Sequence, residues 1–238
     1  MMASIASIET FGTVDGPGIR TVVFFNECRL RCIYCHNPEM WCKQKDNMTI
    51  DELVEKILHN KEYFGNIGGV TFSGGEPLLH SEFLIEVCKK LKVHNIHIAL
   101  DTAGVGFGNY EKILQYIDLI IFDVKHTTKD GYKLITQTNS EESFKFLSVA
   151  NKLNKPFWVR QVIVPGIMDN DEYLDSLVNY IKCNIKLVEK IEFLPYHKLG
   201  EEKFLKLNIV YPCKDTPEMD KIKCDELYKK FIEKYNNN

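Results

Sequence analysis

Cys28, Cys32 and Cys35 stand in a C-x3-C-x2-C spacing that can bring three thiolates to one centre and supplies no fourth. An iron–sulfur cluster held by three cysteines keeps one iron free of protein ligands, where a substrate or cosubstrate can bind. A four-cysteine electron carrier offers no such position. Two other readings use the same residues. Cys32-Ile-Tyr-Cys35-His36 fits the C-x-x-C-H pattern of covalent haem attachment, a chemistry of exported proteins. Cys28, Cys32, Cys35 and His36 also form a Cys3His zinc set, although adjacent Cys35 and His36 fit one tetrahedral ion poorly. The spacing favours the iron–sulfur reading, which leaves His36 for other work.

A second set of polar residues needs elements to position it. Glu76, Asp101, Thr102, Asp123, Lys125 and His197 fall at or just past the ends of strand-like apolar runs, and Arg160 lies inside one. The runs are 20–25, 70–73, 96–100, 119–124, 157–164 and 191–194. Between them lie stretches of helical spacing. Ile50, Leu53, Val54, Ile57 and Leu58 follow a Thr49–Glu52 capping box, and Leu84, Val87, Cys88 and Leu91 follow Ser81, which reads as a cap. Further helices are expected over 142–153, 173–181 and 218–235. This alternation predicts βα units and a mainly parallel sheet. Six units fit either an open doubly wound sheet or an open (β/α)6 partial barrel. Barrel enzymes carry their sites where strand C-terminal ends converge, so the strand-end residues favour the barrel. Arg160 requires an acid or a ligand to offset its burial. The bland alternative pairs these residues as buried salt bridges; a set spread over five strands argues for a site. Segment 198–217 reads as irregular and 236–238 as a frayed end. Gly104, Gly106 and Gly108 imitate a dinucleotide loop, but Asn109 replaces the third glycine, so a turn leading into a helix is expected.

Length and composition set bounds on the function. The 238 residues suit a single domain, with a core over about 18–200 and a C-terminal extension over 201–238. A net charge of −3 argues against a nucleic-acid partner. No apolar run approaches membrane-spanning length, and the N-terminus carries no basic segment ahead of an apolar one. A cytoplasmic location with no membrane partner is expected. There the eight cysteines read as thiols or metal ligands rather than disulfides, and Cys42, Cys88, Cys183, Cys213 and Cys224 as incidental thiols.

The cysteine spacing after the first strand, with a second strand ending in Gly74-Gly75-Glu76, resembles the radical S-adenosylmethionine (SAM) enzymes. Further segments are similar to the glycyl-radical-enzyme activases within that family: Gly12-Thr-Val-Asp-Gly-Pro-Gly-Ile-Arg20, Cys35-His36-Asn37, Leu100-Asp101-Thr102, Asp123-Val124-Lys125, Trp158-Val-Arg160 with Val164-Pro165-Gly166, and 194–200. The resemblance implies an open (β/α)6 partial barrel and a [4Fe–4S] cluster on Cys28, Cys32 and Cys35. It implies that SAM chelates the open iron and is cleaved to a 5′-deoxyadenosyl radical, which takes hydrogen from a backbone glycine of a partner enzyme. SAM is expected along Tyr34, Cys35, His36, Gly74, Gly75, Glu76, Asp123, Val124, Lys125 and His197. A monovalent cation is expected at Asp101, Thr102 and Asp123, and the glycine loop at Asp15, His36 and Arg160. The implied partners are a glycyl-radical enzyme, pyruvate formate-lyase above all, and a low-potential electron donor such as flavodoxin or ferredoxin. Residues 41–47 hold only Cys42, so the ferredoxin-like insert of several related activases is missing, and Ala103 replaces the asparagine frequent after Asp-Thr. The rival readings are a radical SAM enzyme acting on a small molecule, an iron–sulfur electron carrier and a zinc-stabilised binding module.

Overall fold

In a computed structural model that describes residues 1–237, the apolar runs become six parallel strands curved into an open arc. The strands, in chain order, are β1 (Met2–Ala3), β2 (Ile5–Gly12), β3 (Arg20–Phe25), β4 (Met48–Thr49), β5 (Gly69–Gly74), β6 (His97–Thr102), β7 (Leu119–Asp123), β8 (Phe157–Ile163) and β9 (Val188–Pro195). The main sheet runs β2-β3-β5-β6-β7-β8-β9. Only β2 is antiparallel to its neighbour. β1 and β4 form a separate two-stranded ribbon. The edge strands β2 and β9 do not pair, so the barrel stays open.

The helices are α1 (Ile50–His59), α2 (Ser81–Val93), α3 (Tyr110–Leu114), α4 (Lys129–Thr136), α5 (Glu141–Lys152), α6 (Asp171–Asn184), α7 (Glu201–Lys206) and α8 (Lys221–Asn237). Thr49 and Glu52 form the expected capping box at the start of α1. Period-two alternation then divides each strand between two faces. Ile98, Leu100, Ile120, Phe122, Phe157 and Val159 join the helices in the main core, while Ala99, Ile121 and Trp158 form a small cluster on the concave face. Each fully buried large apolar side chain contributes roughly 1.5–3 kcal/mol, so this outer layer holds the arc in shape.

Several elements differ from the sequence reading. β2 adds an antiparallel strand ahead of the first expected one. Of its eight residues only Ile5 is buried, so it shows no apolar run. Segment 198–217 contains α7 rather than being wholly irregular. Ser81 is the first helical residue of α2, not its cap, and its hydroxyl donates to the Leu78 carbonyl at 2.5 Å. α8 starts at Lys221 and continues through Asn236 and Asn237, which were expected to fray; Asn238 lies outside the described residues.

The floor of the half-barrel is closed by Arg20, which is fully buried. Its guanidinium donates to Thr71 Oγ1 (2.6 Å), the Pro17 carbonyl (2.9 Å) and the Val70 carbonyl (2.5 Å). Burial pulls its pKa down to about 10. The loop between β2 and β3 crosses the concave face, where its Asp15 carbonyl accepts from Thr71 Oγ1 at 2.5 Å.

Candidate active site

The C-terminal ends of β3 and β5 through β9 open onto one cavity of about 520 Å³. The chain leaving β3 loops through all three cysteines. Two N–H groups of that loop are satisfied by the last turn of α4: Arg31 N–H donates to the Thr136 carbonyl and Ile33 N–H to the Ile135 carbonyl, both at 2.9 Å. Carbonyls at a helix C-terminus lack partners within the helix, so α4 and the cysteine loop complete one another. The loop also closes on itself, with Cys28 N–H donating to the Trp41 carbonyl at 3.2 Å.

The Gly-Gly-Glu strip at the end of β5 lies directly against the start of this loop. Gly74 has φ +114°, and a Cβ there would stand 2.3 Å from the Phe25 nitrogen. A Cβ on Gly75 would meet the Glu27 carbonyl oxygen at 2.3 Å. The approach lets Gly75 N–H donate to the Phe25 carbonyl and Glu76 N–H to the Glu27 carbonyl, each at 2.8 Å. The Glu76 carboxylate turns inward and accepts from Thr102 Oγ1 (2.5 Å), Ala103 N–H (3.0 Å) and Leu78 N–H (3.2 Å). It is 1% exposed and ties the end of β5 to that of β6.

Strand register sets the charged wall of the cavity. Asp123 of β7, Arg160 of β8 and Glu192 of β9 occupy adjacent paired positions. Arg160 is the hub, with Glu192 at 3.1 Å, Asp15 at 3.5 Å and Asp101 at 3.7 Å. It also donates to the Val14 carbonyl. These acids satisfy the buried cation that the sequence left unexplained. Ser73 donates to Asp101 at 2.7 Å, and Lys125 pairs with Asp123 at 2.7 Å. On the opposite wall His36 and His197 stack with ring centroids 3.9 Å apart.

Electrostatics separate these groups. Burial and the neighbouring Cys32 and Glu76 push the Cys28 thiol far up. Burial lifts Cys32 to about 11 and also raises Cys35, opposed by hydrogen bonds from the Asn37 backbone and the Trp41 side chain. Burial raises Glu76 to about 7, and burial with the nearby Asp123 raises Asp101 to about 6. Burial and His197 depress His36 to about 4. Burial opposes the charge of Lys125, but Asp123, Cys32 and Tyr34 together outweigh it and hold the amine protonated.

Every expected site residue lines this cavity except Asp15 and Val124. Asp15 reaches the site through Arg160. Val124 is buried in the core, and its N–H donates to the Arg160 carbonyl at 2.9 Å. Trp41, Ser73 and Glu192 were missed as site residues. Alternation along the strands would have placed Ser73 and Glu192 on the concave face, while no sequence signal marks Trp41. A wider groove of about 860 Å³ runs outside the barrel between β2 and α1, and none of the thiols or convergent charges reaches it.

The residues fit a multiply charged iron–sulfur group. Three thiols whose pKa burial raises become thiolates only against a strong positive charge. Among the described residues, no three His, Cys, Asp or Glu side chains converge closely enough for a single ion, whereas a cluster binds each thiolate at a separate iron. Among the described residues, the buried Tyr34 hydroxyl and His36 Nε2 find no hydrogen-bond partner, and both residues line the cavity. Such groups call for a bound partner.

A half-barrel with three thiols at its mouth and mixed charge beyond them defines a class, and the chain belongs to it. This protein is a member of the radical SAM superfamily, whose model matches residues 22–181. It is 50% identical to the pyruvate formate-lyase-activating enzyme of Clostridium pasteurianum, across 99% of this chain and 97% of that protein. The enzyme of the same description from Streptococcus mutans is 38% identical, across 92% of this chain and 88% of that one. Among solved structures, a radical SAM methyltransferase from Sphaerobacter thermophilus shares the fold with a TM-score of 0.66 at 14% identity, covering 90% of this chain and 64% of that one. A domain of a pyruvate-formate lyase-activating enzyme from Bacteroides vulgatus aligns with a TM-score of 0.56 at 22% identity, over 71% of this chain and 94% of that one.

Proposed function

We propose that this protein is a radical SAM oxidoreductase that activates a glycyl-radical enzyme, with pyruvate formate-lyase as the partner. The observation that carries the reading is half-identity, over almost the whole chain, to a protein described as activating pyruvate formate-lyase. The cavity supports it with three thiols and a charged wall in one enclosure. A [4Fe–4S] cluster on Cys28, Cys32 and Cys35, together with SAM, would supply a carbon-centred adenosyl radical able to take a hydrogen atom from a glycine Cα.

The chain's own residues bind and orient. Lys125, kept protonated by Asp123, presents a cation to an anionic group. Asp123 offers an acceptor to a cationic one. Tyr34, His36, Gly74, Gly75, Val124 and His197 complete the proposed SAM site, and Glu76 fixes the strand ends beneath it. Asp101, Thr102 and Asp123 are the proposed cation site. There a cation would share Asp101 with Ser73 and Arg160, while the Thr102 hydroxyl is already donated to Glu76. Asp15, His36 and Arg160 are the proposed contacts for the glycine loop. Flavodoxin or ferredoxin is the proposed electron donor, and the cytoplasm the proposed location; among the described residues no helix is long and apolar enough to cross a membrane.

The test mixes anaerobically reconstituted, reduced protein with SAM and purified pyruvate formate-lyase. A glycyl radical doublet in the EPR spectrum, with 5′-deoxyadenosine formed, is expected. Deoxyadenosine without the doublet would overturn the partner, and absence of both would overturn the radical SAM chemistry.

A further inference from the structure

On the concave face, β8 and β9 present a ladder of side chains in register. Lys190 lies beside Trp158, and Glu192 beside Arg160. Glu192 uses both carboxylate oxygens. Its Oε2 accepts from Arg160 Nε at 3.1 Å, and its Oε1 pairs with Lys190 at 2.6 Å. The Lys190 amine in turn sits 4.4 Å from the centroid of the Trp158 ring. A carboxylate braced in this way has a fixed direction. Arg160 has a second acidic neighbour in register, Asp123 of β7, but that carboxylate is engaged by Lys125 at 2.7 Å. Glu192 therefore sets one edge of the guanidinium.

The three nitrogens of Arg160 are held unequally. Nε donates to Glu192 and Nη2 to the Val14 carbonyl. Nη1 stands 3.5 Å from Asp15 and 3.7 Å from Asp101, whereas a charge-assisted bond closes to about 2.7–2.9 Å. Nη1 is thus the nitrogen left for a closer acceptor, and Arg160 lines the cavity. The surroundings also decide the charge of that acceptor. Three carboxylates already face one guanidinium, so a further anion is repelled while a neutral peptide carbonyl is not. We propose that Glu192 is a positioning residue for the protein substrate: by holding Arg160 Nε it aims Nη1 at a backbone carbonyl of the incoming glycine loop. The inference rests on the activase reading of the proposed function. Glu192 acts through Arg160, apart from the thiols and from the residues proposed for SAM.

The test measures glycyl radical formation by EPR against the concentration of purified pyruvate formate-lyase, with SAM affinity read separately by calorimetry. Glu192→Ala should raise KM for the partner about tenfold, the loss expected when a charge-assisted contact is misplaced, and lower kcat by less. SAM affinity should stay at the wild-type value. Glu192→Gln keeps an oxygen for Arg160 Nε and should restore most of the KM. In an Arg160→Lys background, which has no Nε to hold, Glu192→Ala should add little. A wild-type KM in Glu192→Ala, a loss confined to kcat, an equal loss of SAM affinity, or full additivity with Arg160→Lys would each overturn the inference and leave the proposed function standing. If Glu192→Ala fails to fold, Glu192→Asp decides, since it keeps the charge and shortens the reach by one methylene. A raised KM is expected there, and a wild-type KM would overturn the inference. Wild-type protein that forms no glycyl radical on the partner would overturn both the inference and the reading beneath it.

Discussion

Cys32 is the most deeply set of the three thiols, 8% exposed, and both loop segments beside it are anchored to α4. Cys32→Ala should therefore abolish the visible absorption of a reconstituted [4Fe–4S] cluster without unfolding the barrel. An unchanged spectrum would remove it from the ligand set. Asp123→Asn and His197→Ala should weaken SAM binding by calorimetry while leaving iron content intact, and wild-type affinity would exclude those roles. Glu76 makes a separate prediction for the cluster-free protein. Burial raises its pKa from 4.5 to about 7, so the folded state holds the proton to higher pH than the unfolded state does. The stability it contributes is complete below the unfolded value and is lost as pH rises through about 7, at about 1.4 kcal/mol per pH unit within the window. Glu76→Gln lacks this titration. The denaturation free energy of wild type minus variant should thus fall between the acid and the alkaline edge of that window. A constant difference would assign the carboxyl an ordinary pKa.

The elements legible in the sequence were those whose burial leaves a pattern. The six parallel strands and the long helices carry apolar residues at period two or at helical spacing, and the structure places them within a few residues of expectation. Elements without such a pattern were not read. β2 lies at the edge with an exposed face and α4 has Gly131 in its first turn, whereas the five-residue α3 is the helix expected after the Gly104–Gly108 turn. Yet α4 supplies the carbonyls that hold the cysteine loop, so part of the support for the site had no signal of its own. The cysteines and strand-end charges were legible because their chemistry is unusual at those spacings. Trp41 was not, because its place in the cavity wall is a tertiary fact. The C-terminal extension was expected only as a helix, and its role follows from packing. Phe231 of α8 is fully buried and meets Phe193 of β9 with centroids 5.1 Å apart, while Lys230 pairs with Asp171 of α6. Phe231→Ala should cost about 3–5 kcal/mol in chemical denaturation. A loss below about 1 kcal/mol would make α8 an appendage rather than part of the barrel wall.

At the scale of the whole molecule, one main core spans the chain from Ala3 to Phe231, which supports the proposal of a single radical SAM domain with its C-terminal extension packed on. Far-ultraviolet circular dichroism and tryptophan fluorescence should then report one coincident unfolding transition for the cluster-free protein. Two separated transitions would divide the chain into independent units. The unpaired edges β2 and β9 also bear on what such a molecule can act upon. A closed ring of strands has a circumference fixed by its hydrogen bonds, and a residue in the middle of a folded chain could reach its interior only as a narrow hairpin pushed down the bore. A horseshoe is a notch. It can straddle a strand of polypeptide whose two ends remain anchored in another protein, and let it go sideways afterwards without either end being threaded.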